Sequence, residues 1–187
     1  TDALCQATMA WTPQAPKGSL RTYVERHGVT HLLSLERTDE ASTRMLEFAF
    51  MAAYAESWER VVEPLASWRI IGLERAEAGY NEAALALSDP QGAPYAEVMA
   101  VGRTGAFLNA AGLIDPCIHI ATWVMGALEH MLGATHPDTL TAMSNLATIY
   151  EAQARYDEAE PLFLAAFKAC EEALGATHPS TLRNHGS

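Results

Sequence analysis

Histidine is the residue type in this sequence best suited to chemistry, and its spacings suggest two kinds. His27 and His31 are four residues apart, the separation at which two imidazoles on one helix face could bind zinc. Gly28 stands between them and no third ligand lies near in sequence, so the pair does not by itself make a metal site. His119 and His130 are eleven apart and fall on one face of a helix, where packing in the core or at its rim is the expectation. Met45, Phe48, Phe50, Met51 and Tyr54 could line a cofactor pocket, but a cluster of that composition at helical spacing is also what a core needs, and core is the reading adopted. Glu63, Glu74, Glu77 and Glu82 are spread as on solvated helix faces. No G-x-S-x-G, P-loop or G-x-G-x-x-G occurs, and nothing pairs a nucleophile with its base. The sequence therefore predicts a non-catalytic protein with no metal and no cofactor. The rival from another class is a small helical enzyme or cofactor carrier using the N-terminal half, which predicts a copurifying metal or small molecule.

Two of the remaining three histidines lead to the elements that position everything else. His136 lies in Leu132-Gly133-Ala134-Thr135-His136-Pro137-Asp138-Thr139-Leu140, and His178 holds the same place in the stretch from Leu174 to Leu182, identical at eight of nine positions. The offset of 42 residues also relates Asp115, Ala127 and Glu129 to Asp157, Ala169 and Glu171, so the repeat is a whole segment rather than a loop. Repeated identity makes each histidine a turn-satisfying side chain. Between the copies, Leu140, Met143, Leu146, Ala147, Ile149 and Tyr150 form one apolar stripe, predicting a helix over 138–154. Thr135-x-x-Asp138 reads as a capping box before it. A second helix is predicted from Asp157, as N-cap, to Leu174-Gly175. Two such helices make a hairpin that cannot bury both faces alone and must stack on neighbours.

Asn145-Leu146-Ala147-x-x-Tyr150, then Tyr156-Asp157-Glu158-Ala159, Phe163 and Ala166, resemble a tetratricopeptide repeat. The period and the linker look like the kinesin-light-chain variety of that repeat. The resemblance covers about 95–137 and 138–182, and Gly105, Leu108, Asp115, Cys117 and Leu132-Gly133 keep the frame in the first copy. Trp68-x-x-Ile71-Gly72 with Ala84 fits the older W-x-x-L-G signature, with Arg75 where tyrosine is expected, and leaves open a degenerate repeat or an ordinary amphipathic helix pair. The resemblance implies an all-α, helical-hairpin α-solenoid whose concave face is lined by the first helix of each hairpin and holds a peptide or a partner's helix. It places Asn145 on that face as a contact for a ligand backbone, with Arg103 as its counterpart one repeat earlier and Ser144, Thr148 and Ala106 nearby. Arg103 in that place suits an acidic ligand.

Composition narrows the alternatives. The formal charge of −11 argues against a nucleic-acid partner, whose phosphates require clustered cations. With 49% of residues hydrophobic, the chain can bury a core. Cys5, Cys117 and Cys170 are odd in number and form no Cys-x-x-Cys pair, which predicts buried free thiols. No stretch is apolar for long enough to span a membrane. The chain begins at Thr1 without a secretory leader, which fits an intracellular protein, either a mature form left by transit-peptide removal or a fragment.

Read in order, residues 1–18 lack periodicity and are expected to be an extended arm carrying Trp11 as an anchor for another surface. Residues 19–90 form an irregular helical region: a helix from Ser19 stopped by Gly28, then one from Thr38 to Val61 or Val62, one over 65–78 punctuated by Gly79, and a short one over 81–87. The loop from Ser88 to Pro94 separates this region from the repeats of 95–187, which open with helices over 95–111 and 116–131, the first containing Gly102 and Gly105, which allow close approach of a neighbouring backbone. The second of these, capped by Asp115, is apolar nearly all round and is expected to be buried on every side. Its Trp123, at the place of Ala165 in the next repeat, is expected to pack against the N-terminal half or a partner chain. The sequence ends just past the second linker, where a further repeat would start, so either the chain has been cut there or another element is expected to cover that end. Together these features predict a protein-interaction scaffold that is an accessory or structural subunit of a multiprotein assembly, with an adaptor for short peptide motifs as the near alternative.

Overall fold

The computed structural model describes residues 2–14, 18–54, 62–87 and 89–174. Among them the fold is all-α. Helices α1 (Asp2–Met9), α2 (Ser19–Ser34), α3 (Thr38–Met45), α4 (Phe48–Tyr54), α5 (Val62–Ile71) and α6 (Leu73–Leu85) make the N-terminal half. A single 3-10 turn (Pro90–Gly92) leads into α7 (Tyr95–Ala111), α8 (Ile114–Leu132), α9 (Pro137–Ala152) and α10 (Tyr156–Leu174). The last four stack as two hairpins, α7 on α8 and α9 on α10, joined by packing of α8 on α9. The N-terminal half docks through α4 on α7 and α6 on α8. One core runs through both halves, from Cys5 and Trp11 to Leu128 and Ile149.

The two hairpins turn in the same way. Gly112 adopts a left-handed conformation (φ 78°), and the Leu113 N–H bonds to the Leu108 carbonyl at 2.9 Å. Forty-two residues on, Ala154 is left-handed (φ 57°) and the Arg155 N–H bonds to the Tyr150 carbonyl at 2.9 Å. Buried Leu108 and Leu113 reinforce the first turn, and the Arg155 guanidinium over the Tyr150 ring reinforces the second.

The expected helices over 95–111, 116–131, 138–154 and from Asp157 agree with α7 to α10 to within a few residues, but their caps differ. The capping residue of α9 is His136 rather than Thr135: its Nδ1 accepts the Asp138 N–H at 3.2 Å, with Pro137 at the first helical position. His136 thus satisfies its turn as the recurrence suggested; His178 lies outside the described residues. Helix α8 starts before Asp115, which caps nothing and instead sits in the first turn, where the helix dipole favours it. Nor is α8 buried all round, since His119 and His130 are exposed rather than packed in the core.

The N-terminal half departs further. Residues 2–9 form helix α1 instead of an extended arm, with Cys5 and Thr8 buried. Helix α2 runs straight through Gly28, because that glycine is where α1 crosses: a Cβ there would lie 2.5 Å from Thr8 Oγ1 and 2.7 Å from Thr8 Cγ2. The helix expected from Thr38 breaks at Leu46-Glu47 into α3 and α4; its expected end near Val61 lies outside the described residues. Gly72 (φ 119°) splits the helix expected over 65–78, and Gly79, expected to punctuate it, lies inside α6 against Leu46. The expected helix over 81–87 is the end of α6. Met45, Phe50, Met51 and Tyr54 are buried in the core, as the adopted reading required.

Candidate interaction groove

The site is made by small residues on one helix. Gly102 and Gly105 let α8 approach α7 closely: a Cβ at Gly105 would fall 2.8 Å from Ile120 Cγ2, and one at Gly102 would touch Val124. The Cys117 thiol donates to the Gly105 carbonyl at 3.4 Å, and burial pushes its pKa up to about 11, so it stays neutral at physiological pH. With α8 drawn in as a floor, α7 and α9 become two walls, and a groove of about 360 Å³ opens between them. Ala142, Asn145, Thr148, Ile149 and Ala152 face it from α9, spaced three or four residues apart on one helix face.

The lining is apolar and small apart from Asn109, Asn145 and Thr148. Thr148 Oγ1 donates to the Ser144 carbonyl at 2.8 Å, which spends its proton and leaves the hydroxyl oxygen as an acceptor. Asn145 is exposed and makes no side-chain hydrogen bond among the described residues, so its amide can both donate to and accept from a visiting backbone. An apolar cleft with a few convergent polar groups is the usual form of a binding site.

The residues expected on the concave face are only partly brought together. Ala106, Asn145 and Thr148 line the groove, whereas Ser144 acts behind it through its carbonyl. Arg103 lies on the other side of α7, in a larger cavity of about 930 Å³ shared with α2 and α4. Trp11 is no anchor for another surface. It is 6% exposed, edge-on to Phe50 at 5.3 Å, and its indole N–H donates to Glu25 at 3.1 Å. Trp123 is half-buried and packs against the core. Asn109 was missed, although it stands three residues after Ala106 and shares its helix face.

His27 and His31 both lie along Tyr23, whose hydroxyl is 3.1 Å from His31 Nε2, and among the described residues no three His, Cys, Asp or Glu side chains gather to hold a metal ion. Beyond the groove, the Tyr95 hydroxyl donates to Asp138 at 3.2 Å and ties the starts of α7 and α9 together; that bond raises the Tyr95 pKa. None of the described helices is long and apolar enough to cross a membrane.

A stack of helical hairpins with a groove between successive first helices defines an α-helical repeat fold, the architecture of proteins that bind other proteins. Residues 139–180 match the tetratricopeptide repeat family, a repeat that serves as a protein–protein interaction module. No curated protein matches the chain.

Proposed function

We propose that this chain is a non-catalytic protein-interaction scaffold that docks as an accessory subunit within a multiprotein assembly, holding a segment of its partner between α7 and α9. The observation that carries this reading is the groove itself, in which unpaired Asn145 and the acceptor oxygen of Thr148 stand on small, apolar walls. Such walls admit a backbone closely, and the two polar groups fix its register. The period of 42 residues and the recurring Leu-Gly-Ala-Thr-His-Pro linker support assigning the repeats to the kinesin-light-chain type, and the docking of α4 and α6 supports a role for residues 19–90 in completing the concave surface.

The test is gentle purification of the chain from its native source, beside an Asn145→Trp variant that fills the groove from an exposed position. Quantitative mass spectrometry should find a stoichiometric protein partner with the parent chain and several-fold less of it with the variant, while circular dichroism stays unchanged. A lone monomer carrying a metal or a small molecule would refute the scaffold reading.

A further inference from the structure

Two features of the sequence count against a metal ion at His27 and His31: the glycine between them and the lack of a third ligand nearby. The structure removes the first. Helix α2 is continuous from Ser19 to Ser34, and Gly28 turns its bare side to Thr8 of α1 instead of ending the helix. On an unbroken helix, residues four apart carry their Cβ atoms about 5–6 Å from each other on one face. Tyr23, four residues before His27, marks that face. Its ring centroid lies 4.7 Å from that of His27 and 5.9 Å from that of His31, and its hydroxyl is 3.1 Å from His31 Nε2. Both imidazoles therefore project to the same side of α2, and the outer nitrogen of His31 is turned toward the side chain that also touches His27. His27 is exposed and His31 half-buried, and among the described residues no ion pair holds either ring.

The second feature sets the kind of site. Among the described residues no three His, Cys, Asp or Glu side chains gather, so the pair supplies two ligands and leaves the other coordination positions open. We propose that His27 and His31 form an exposed two-histidine chelate for a divalent transition ion, which takes the place of the Tyr23 hydroxyl at His31 Nε2. Two neutral imidazoles suit Cu²⁺, Ni²⁺ and Zn²⁺, whereas Ca²⁺ and Mg²⁺ require oxygen ligands, and among the first group Cu²⁺ is held most tightly. The chain charge of −11 favours the approach of a cation. An ion with two protein ligands and open positions exchanges with solvent, so it is taken up from solution and not carried through purification. The site is separate from the groove between α7 and α9, to which α2 contributes no residue.

Cu²⁺ titrated into the full chain and followed by electron paramagnetic resonance tests this. The spectrum should show nitrogen ligation at one tightest site, Zn²⁺ should compete more weakly, and Mg²⁺ should not compete. His27→Gln and His31→Gln should each weaken that site by more than the roughly tenfold that loss of a ligand's hydrogen-bond partner costs, with circular dichroism unchanged. Tyr23→Phe should bind the ion about fivefold more tightly, because His31 then gives up no hydrogen bond to receive it. His130→Gln, at an exposed position on α8, should bind as the parent chain does. Parent-like affinity in either variant of the pair would overturn the chelate, and weaker binding in Tyr23→Phe would overturn it by making the phenol a ligand. Asn145→Trp should keep the ion while losing the protein partner, so the two readings fail separately: a chain that keeps its partner but shows no such Cu²⁺ site refutes this inference alone.

Discussion

Three of the longer helices of this protein, α2, α7 and α9, and the shortest ones are held at their ends in different ways. Helix α2 has 16 residues, α7 has 17 and α9 has 16, and each ends in a left-handed residue with a hydrogen bond from a residue just beyond to a carbonyl five positions back. The short helices do otherwise. Helix α1 (8 residues) has the carbonyl of its last residue, Met9, taken by the buried Arg44 guanidinium, which also donates at 3.3 Å to the Trp11 carbonyl two residues beyond the helix. Where α3 (8 residues) stops, the Met45 carbonyl accepts the Tyr80 hydroxyl at 2.6 Å, and at the start of α4 (7 residues) the Phe48 carbonyl accepts Thr104 Oγ1 at 3.3 Å. The partners of these bonds are 33 to 56 positions away. Helices of so few residues cannot offset their nucleation cost locally, and tertiary contacts hold them instead. Position in the N- or C-terminal half does not decide which device is used, since α2 follows the pattern of the repeats, and length alone does not either, since the 19-residue α8 ends at Gly133 (φ 88°) with its N–H bonded four positions back to Glu129.

The largest expected effect follows from that contrast. Arg44→Ala removes the donors for the Met9 carbonyl at the end of α1 and the Trp11 carbonyl just beyond it, along with the contact between the guanidinium and the Phe50 ring. A loss of about 3 kcal/mol is expected in denaturant unfolding. Hydrogen exchange should speed up most in α1, α3 and α4, with α9 and α10 least affected. A uniform rise across all helices would break the distinction and show a single cooperative unit. Gly28→Ala comes next. The new Cβ meets Thr8, a short side chain that is fully buried and bonded to the Leu4 carbonyl at 2.8 Å, so it cannot swing away. Helix α1 must shift, at a cost of about 2 kcal/mol, and the Trp11 fluorescence should report its altered setting. An unchanged melting temperature would mean that α1 is not clamped there.

These effects bear on what could be read in the sequence. The repeat half was legible because its signals are local: the stripe on α9, the recurring linker, and the glycines of α7 that face α8. So was part of the groove, since Ala106, Asn145 and Thr148 follow from one helix face repeated. Helix α1 was not legible. Its eight residues contain only two buried positions, and what fixes it, Arg44 and the bare surface at Gly28, lies on other helices. Gly28 and Gly79 misled for the same reason: a glycine that ends a helix and one that admits a neighbour look alike in sequence. Arg103 was assigned to the groove by repeat arithmetic, which gives the helix correctly but not the side of it. The packing of α4 decides the side, because it opens the larger cavity along the other wall of α7.

The smallest effect tests whether the two repeats are the same structure. Gly112 and Ala154 are equivalent positions with the same left-handed backbone, yet only one is a glycine. Nothing lies within 4 Å of a Cβ built on Gly112, so Gly112→Ala introduces backbone strain without a clash. Left-handed backbone costs a non-glycine residue about 1 kcal/mol, and Gly112→Ala should destabilise by about that much. Ala154→Gly should relieve the same strain and stabilise the second hairpin, in part offset by the greater freedom that glycine gives the unfolded chain. The net gain should be about 0.5 kcal/mol, read as a rise in the denaturant midpoint at constant slope. In the double variant, which exchanges the two residues, the effects should add, because the turns are separate sites. If Ala154→Gly destabilises instead, the second turn depends on its methyl group, and sharing a backbone conformation does not make the hairpins energetically equivalent.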